Sequence, residues 1–524
     1  MNKRWILIGI TVVGAMLRLA FLSQGDTVND EAAIAFRAIG MIDYLKSDEQ
    51  TTPLEWVDPA PFESCATDKP EQICQTAAFG RHEAVADAWW LRLSFHDHPP
   101  LVFWMQHFFM RVFGIAAWVF RLPSAIFGIG SVLILYGIGK TLFGTRAGLV
   151  AAAILGATLN HVYISRVGLQ ESYVIFFVLL TLYWFLKGRE KDFYFLLSGA
   201  ALGLGLLTKY TSFIAVPIIL IYISFFERRI FRNWKLWLGC GIALLLFSPV
   251  IIYNFGLYRA VGHFDFQFSY IFGQNPEVWQ SYPGKDIGTF GQRLSDFLPR
   301  LLASNSWLLF AFFGVALTAF MSRLLRAPRE ALHRYGFLII SFLGVVGLLF
   351  LIGPSFRFLT MLTPFLALGV GALADYFVGR YKKIAVVGLT VGLLFEIFYS
   401  VNNQLLPRAM GSEIFLASPV QAENYKWGYA ELDDFFSAEF KEKVPAWSFT
   451  KNYGFLRKLQ IESLDAARKS GASPYATLVI YDESLFSLTR LWVLDRHFFY
   501  EGWPIISATD YFDLLEKQGQ NYFH

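Results

Sequence analysis

Apolar residues in this chain come in long, nearly unbroken runs, separated by short polar and often basic connections. A helix needs about 20 predominantly apolar residues to cross the hydrocarbon core of a bilayer. Runs of about that length fall at 5–22, 122–142, 147–163, 172–187, 193–209, 211–226, 235–255, 303–322, 336–352, 358–378 and 383–400. They predict a polytopic α-helical membrane protein with about eleven spans. The N-terminal run follows Met1-Asn2-Lys3-Arg4 and contains Arg18 but no small-x-small cleavage site, so it reads as an uncleaved first helix.

The run 101–120 is apolar enough to span, and charge decides against it. Short cytoplasmic loops are rich in Lys and Arg. With 101–120 left out, the basic clusters Lys140/Arg146, Lys187/Arg189/Lys191, Arg228/Arg229/Arg232/Lys235, Arg323/Arg326/Arg329/Arg334 and Arg380/Lys382/Lys383 all fall on the side of Lys3 and Arg4. The run then reads as an amphipathic helix at the outer interface, with His107 and Arg111 on its polar side. Three outer segments follow: 23–121, 256–302 and 404–524. The domain reading is a membrane domain over 1–403 and a small outer α/β domain over 404–524. In that tail, Ala476–Tyr481 and Leu491–Leu494 look like strands, and Ser507-Ala-Thr-Asp510 signals a helix over Tyr511–Leu515. No internal repeat of the transporter kind is visible.

Composition agrees with lipid as solvent. Of 524 residues, 55% are hydrophobic and only 16% charged, against about 25% charged in soluble proteins. The net charge of +4 is mild, and no basic stripe with interleaved aromatics points to nucleic acid. Cys65 and Cys74 suit a small disulfide-closed loop if that loop lies outside the cytoplasm.

The candidate chemistry gathers at outer ends of spans. Asn29-Asp30-Glu31 follows the first run, and a carboxylate there can take a proton from an acceptor hydroxyl. The structural alternative is a helix cap by Asn29 or Asp30. His96-Asp97-His98-Pro99-Pro100 precedes the interfacial helix; it suits contact with a cation or phosphate, or a proline-defined helix start capped by His98. As a metal site it lacks a fourth ligand by spacing. Arg121, Ser165-Arg166 with Glu171, Lys209 and Arg357 add outer-end charges from separate parts of the chain. A lone snorkelling Arg is the bland account of Arg121. Collectively the set suits a phosphorylated donor and a nucleophile that needs a base.

Asp30-Glu31, His98-Pro99-Pro100-Leu101, Arg121-Leu-Pro-Ser-Ala-Ile-Phe-Gly128, Gly203-Leu-Gly-Leu-Leu-Thr-Lys-Tyr210 and the Gly353–Pro364 segment resemble the GT-C superfamily. Within it they resemble the protein O-mannosyltransferase and aminoarabinose-transferase-like group, over roughly residues 1–400. The resemblance implies inverting transfer of a sugar from a polyprenyl-phosphate donor to a lipid, glycan or protein acceptor. It makes Asp30 the base and Glu31 its support. Arg121 would hold the lipid phosphate, as would His98, at a position where some members carry Lys. Glu171 stands where many members carry Asp. No cofactor is required, although a divalent cation could assist. The chain lacks the large luminal insert of eukaryotic protein mannosyltransferases, which puts a protein acceptor in doubt and favours a bacterial or archaeal plasma membrane. The competing classes are a lipid-linked-glycan transporter, which would carry charges at mid-membrane, and a sensor, which would leave the outer-end charges unused.

The topology is checked by Ala116→Cys. It is expected to react with an impermeant reagent applied from outside; labelling from the cytoplasmic side alone overturns the assignment of 101–120.

Overall fold

Each of the apolar runs falls on helix. The computed structural model describes residues 3–27, 29–41, 89–274, 287–412, 415–424, 426–441 and shorter stretches between 443 and 512. Cys65 and Cys74 lie outside the described residues. Among the described residues, seven helices are long and apolar enough to cross a membrane: Ala117–Phe143, Glu171–Gly188, Trp234–Ala260, Trp307–Arg326, Pro328–Ile352, Phe356–Ala374 and Lys383–Gln404. The run at 147–163 is a pair, Thr145–Ala157 and Leu159–Arg166, bent by 59°, which makes an eighth if counted as one span. Three further expected spans are shorter: Lys3–Leu19 has 17 residues, Tyr194–Thr208 has 15, and the run at 211–226 opens with a 3-10 turn before Ala215–Phe226.

The run 101–120 is not one helix. Leu101–Phe113 ends at Gly114, whose φ of +89° is a left-handed conformation open to glycine, and Ala117–Phe143 starts after it. Thirteen residues at 1.5 Å each reach about 20 Å, short of the bilayer core. Trp104, Phe108 and Val112, four residues apart, form an exposed apolar stripe.

The chain divides into two compact units: Met1–Gln24, Phe108–Ser248 and Gly284–Tyr425 form one; Gly25–His107, Pro249–Pro283 and Lys426–His524 form the other. In the first, close helix packing rests on small residues at four-residue spacing. Gly199 and Gly203 face Gly239 and Ala243: a Cβ built on Gly199 would stand 1.9 Å from the Gly239 carbonyl oxygen, and one on Gly203 would stand 2.9 Å from that of Ala243.

In the second unit the C-terminal residues form two short parallel strand pairs, Lys443–Pro445 with Ser473–Tyr475 and Val479–Tyr481 with Ile505–Ser507. Leu491–Leu494, read from the sequence as a strand, is helical. It is a π turn joining Ser487–Arg490 to Arg496–Glu501, so one continuous helix crosses over between the parallel strands. An apolar run of four cannot tell a buried strand from a helix buried on all sides, and Leu491, Trp492, Val493 and Leu494 are all buried. The expected helix follows directly on the strand Ile505–Ser507: Ala508, Thr509, Tyr511 and Phe512 are helical.

Gly199→Ala is expected to destabilise the detergent-solubilised protein by about 1–3 kcal/mol through overpacking. Gly241→Ala, whose Cβ would meet nothing within 4 Å, serves as the near-neutral control in the same thermal-unfolding assay.

Candidate active site

Asp30 precedes the helix Glu31–Gly40, and its side chain makes no cap hydrogen bond. Asn29 does the local structural work: its Oδ1 accepts from the Glu31 N–H at 2.9 Å. Asp30 is exposed and Glu31 is buried. The capping account therefore applies to Asn29 and leaves the Asp30 carboxylate at the surface.

Within the same unit, Asp97 is buried and gripped on both oxygens. Arg37 donates Nη1 to Oδ2 at 3.0 Å and Nη2 to Oδ1 at 2.8 Å. His98 Nδ1 lies 2.9 Å from Oδ2. Burial pushes the Asp97 carboxyl up, but Arg37, then His98 and His96, together outweigh it and hold it well below the usual carboxylate range. Asp97 thus keeps a negative charge beside His98 Nδ1. The Arg37 guanidinium also lies over the rings of Phe95 at 5.0 Å and Phe103 at 4.7 Å. The sequence signals Arg37 only as a lone cation late in a helix that is apolar after Glu31. Among the described residues, no group of three or more His, Cys, Asp or Glu side chains is arranged to hold a metal ion.

In the first unit the predicted residues form two groups. One sits at the end of the first helix. Arg166 donates Nη1 to the carbonyls of Leu17 (3.0 Å), Arg18 (3.3 Å) and Ala20 (2.7 Å), and Nη2 to Phe21 (2.9 Å). Arg121 Nη1 donates to Leu22 (3.2 Å) and Gln24 (2.9 Å). Arg18 reaches Leu155 (3.2 Å) and Gly156 (2.9 Å), carbonyls freed by the break before Leu159, and its Nη2 is 2.7 Å from His161 Nδ1. All three arginines are buried.

The other group brings together three candidates far apart in sequence. Lys209 Nζ meets Glu171 Oε1 at 2.7 Å, and Arg357 acts electrostatically on the same carboxylate. Both cations flank one ring: Lys209 Nζ is 4.8 Å and the Arg357 guanidinium 5.3 Å from the Phe358 centroid. The second Glu171 oxygen, Oε2, is buried with no hydrogen-bond partner among the described residues. Lys209 caps the C-terminal end of Tyr194–Thr208 in extended conformation, and Glu171 opens its own helix. Lys209 and Arg357 are cations of the kind that bind phosphate. A further buried carboxylate, Glu396, accepts from Ser306 Oγ. Its sequence signal was an acid inside an apolar run, and it was not singled out.

Residues 97–253 match the family described as dolichyl-phosphate-mannose-protein mannosyltransferase. A putative mannosyltransferase of Bacillus subtilis, YycA, is 38% identical over 84 residues, which are 16% of this chain and 12% of that relative's length. The apo structure of ArnT from Cupriavidus metallidurans is similar over 99% of this chain and 91% of that chain, with a TM-score of 0.52 at 14% identity. The archaeal oligosaccharyltransferase AglB from Archaeoglobus fulgidus, solved with an inhibitory peptide and a dolichol-phosphate, is similar over 97% of this chain and 64% of that chain, with a TM-score of 0.52 at 13% identity. Residues 97–253 thus match that family, the fold is like that of ArnT and AglB, and the long apolar helices are those of a multi-pass membrane protein.

Proposed function

We propose that the chain is an inverting glycosyltransferase that takes a sugar from a polyprenyl-phosphate donor at the outer face of a bacterial or archaeal plasma membrane. The observation that carries this reading is Asp30: an exposed first-loop carboxylate whose side chain is not used to cap the helix it precedes. An acceptor hydroxyl on an envelope lipid, glycan or protein attacks the anomeric carbon. The bond from that carbon to the phosphate oxygen breaks, the lipid phosphate leaves, and Asp30 takes the hydroxyl proton. Charge grows on the leaving phosphate, and cations aimed at it lower the barrier. Lys209 and Arg357 have the chemistry for this, and Glu171 holds Lys209 in place. Arg121 already gives one guanidinium nitrogen to two carbonyls, so it would share the phosphate from a braced position. Arg166 braces the same helix end. His98, beside Asp97, is the further donor to the anion, and Glu31 supports the Asp30 turn. The dolichol-phosphate named with AglB supports a polyprenyl-phosphate partner here.

Asp30→Asn keeps the shape of the side chain but cannot take the proton. Transfer from the natural donor is expected to fall about 10²–10⁴-fold, while binding of polyprenyl phosphate persists. Near-normal transfer would remove Asp30 from the base role.

Arg357→Ala and Arg121→Ala are expected to weaken binding of polyprenyl phosphate about 10- to 100-fold each, the equivalent of one charged hydrogen bond. Unchanged affinity in both would move the phosphate to Lys209 and His98.

A further inference from the structure

The C-terminal residues hold both flanks of the Asp30 turn. Asp26, four residues before Asp30, is buried at 1% exposure. Its Oδ2 accepts from the Trp427 N–H at 2.5 Å and its Oδ1 from the Ala430 N–H at 2.8 Å. These donors lie at the N-terminus of the helix Tyr429–Phe440. That helix has no side-chain cap of its own: its N-cap is Gly428, at φ +99°. The four leading N–H groups of a helix need acceptors, and a carboxylate there also meets the positive end of the helix dipole. Here the acceptor comes from about 400 residues earlier in the chain, counted on the same two hydrogen bonds.

Three more contacts repeat the arrangement. The buried Thr489 donates Oγ1 to the Thr27 carbonyl at 3.1 Å. Downstream of Asp30, Tyr500 donates its hydroxyl to the Phe36 carbonyl at 2.9 Å. The buried Phe36 ring packs against Tyr500 at 5.2 Å and edge-on against Phe499 at 6.3 Å. The two C-terminal helical stretches are tied to each other. Asp433 pairs with Arg496 and lies 2.6 Å from His497 Nε2, and the His497 ring stacks on Trp503 at 3.9 Å.

We propose that Asp26 is a positioning residue: it docks the C-terminal helix Tyr429–Phe440 onto the first loop, so that the C-terminal region sets where Asp30 stands. The proposal rests on Asp30 being the base. It also separates the two neighbouring carboxylates chemically. Asp26 has both oxygens filled by backbone donors inside the protein, so it is not placed to take a substrate proton; Asp30 is exposed. Asp26 and Thr27 sit in irregular chain, which no helix ladder locks, so these contacts set its position. A displacement of about 1 Å at a reacting group can cost on the order of 10²-fold in rate.

The test uses the full-length protein in detergent or nanodiscs and compares Asp26→Ala, Thr489→Val, Asp30→Asn and the double variant Asp26→Ala/Asp30→Asn. Asp26→Ala is expected to lower kcat by at least about 10-fold per folded enzyme with KM for the lipid donor unchanged. Thr489→Val, which keeps the volume of the side chain, is expected to show the same split to a smaller degree and covers the case in which Asp26→Ala folds poorly. In the Asp30→Asn background, Asp26→Ala should cost nothing further, because a residue acting through Asp30 has nothing left to position. Backbone amide exchange should quicken in both 27–36 and 427–432 in Asp26→Ala. An unchanged kcat, losses that add in the double variant, or unaltered exchange in 27–36 would each overturn the proposal. If instead Asp30→Asn alone is near normal, the base assignment falls, while quickened exchange in both segments would still establish the docking contact.

Discussion

A helix that ends inside a membrane protein exposes carbonyls with no intrahelical partner, and in the hydrocarbon region water cannot supply one. This chain meets that constraint with arginines. The helix Lys3–Leu19 ends with the carbonyls of Leu17 and Arg18 taken by Arg166, and the turn after it is held by Arg166 and Arg121. The break between Ala157 and Leu159 frees Leu155 and Gly156, which Arg18 takes, and Ser400 closes on Ala157. Each guanidinium can serve several acceptors at once because its donors are spread in a rigid plane. The ends of the first helix and of the bent pair are thereby fixed to each other, and the chain leaves the first helix at one defined place.

The loop that begins there depends on carboxylates in the complementary role. Asp26 accepts two backbone N–H groups, and Asp97 accepts the Arg37 fork and lies beside His98. Both are buried. A buried carboxylate with filled oxygens is structural by its solvation, since removing any partner would leave a charge uncompensated. Two other acids stand in different surroundings. Asp30 is exposed, and Glu171 has one oxygen on Lys209 and the other without a partner among the described residues. Adjacent acids in one short loop thus differ in burial: Asp26 is enclosed by backbone donors, and Asp30 is exposed.

The cations differ in their partners too. Arg18 and Arg166 serve carbonyls, whereas Lys209 and Arg357 share a phenyl ring and act on one carboxylate. Phosphate recognition needs cations held in place, and the pairing of Glu171 with Lys209 holds one of them.

Hydrophobic run length determined, from the sequence alone, that the chain is a multi-pass helical protein, because the backbone in lipid must satisfy itself within each segment. Every expected run is helix for that reason, and the carboxylates and cations at the run ends were visible as exceptions to apolarity. What the sequence left open was decided by tertiary contact. Run length does not show where a helix breaks, and the interruptions at Gly114 and between Ala157 and Leu159 needed a left-handed glycine and a capping arginine to exist. Leu491–Leu494 became helix because it is buried on every side, a fact with no periodic trace. The meeting of Glu171, Lys209 and Arg357, the Arg37–Asp97 pair and the docking of Asp26 on a helix some 400 residues away all join segments remote in the chain. Residue type and spacing record which groups can pair; only the folded chain decides which of them do, because distance in space is set by packing between elements and not by order along the sequence.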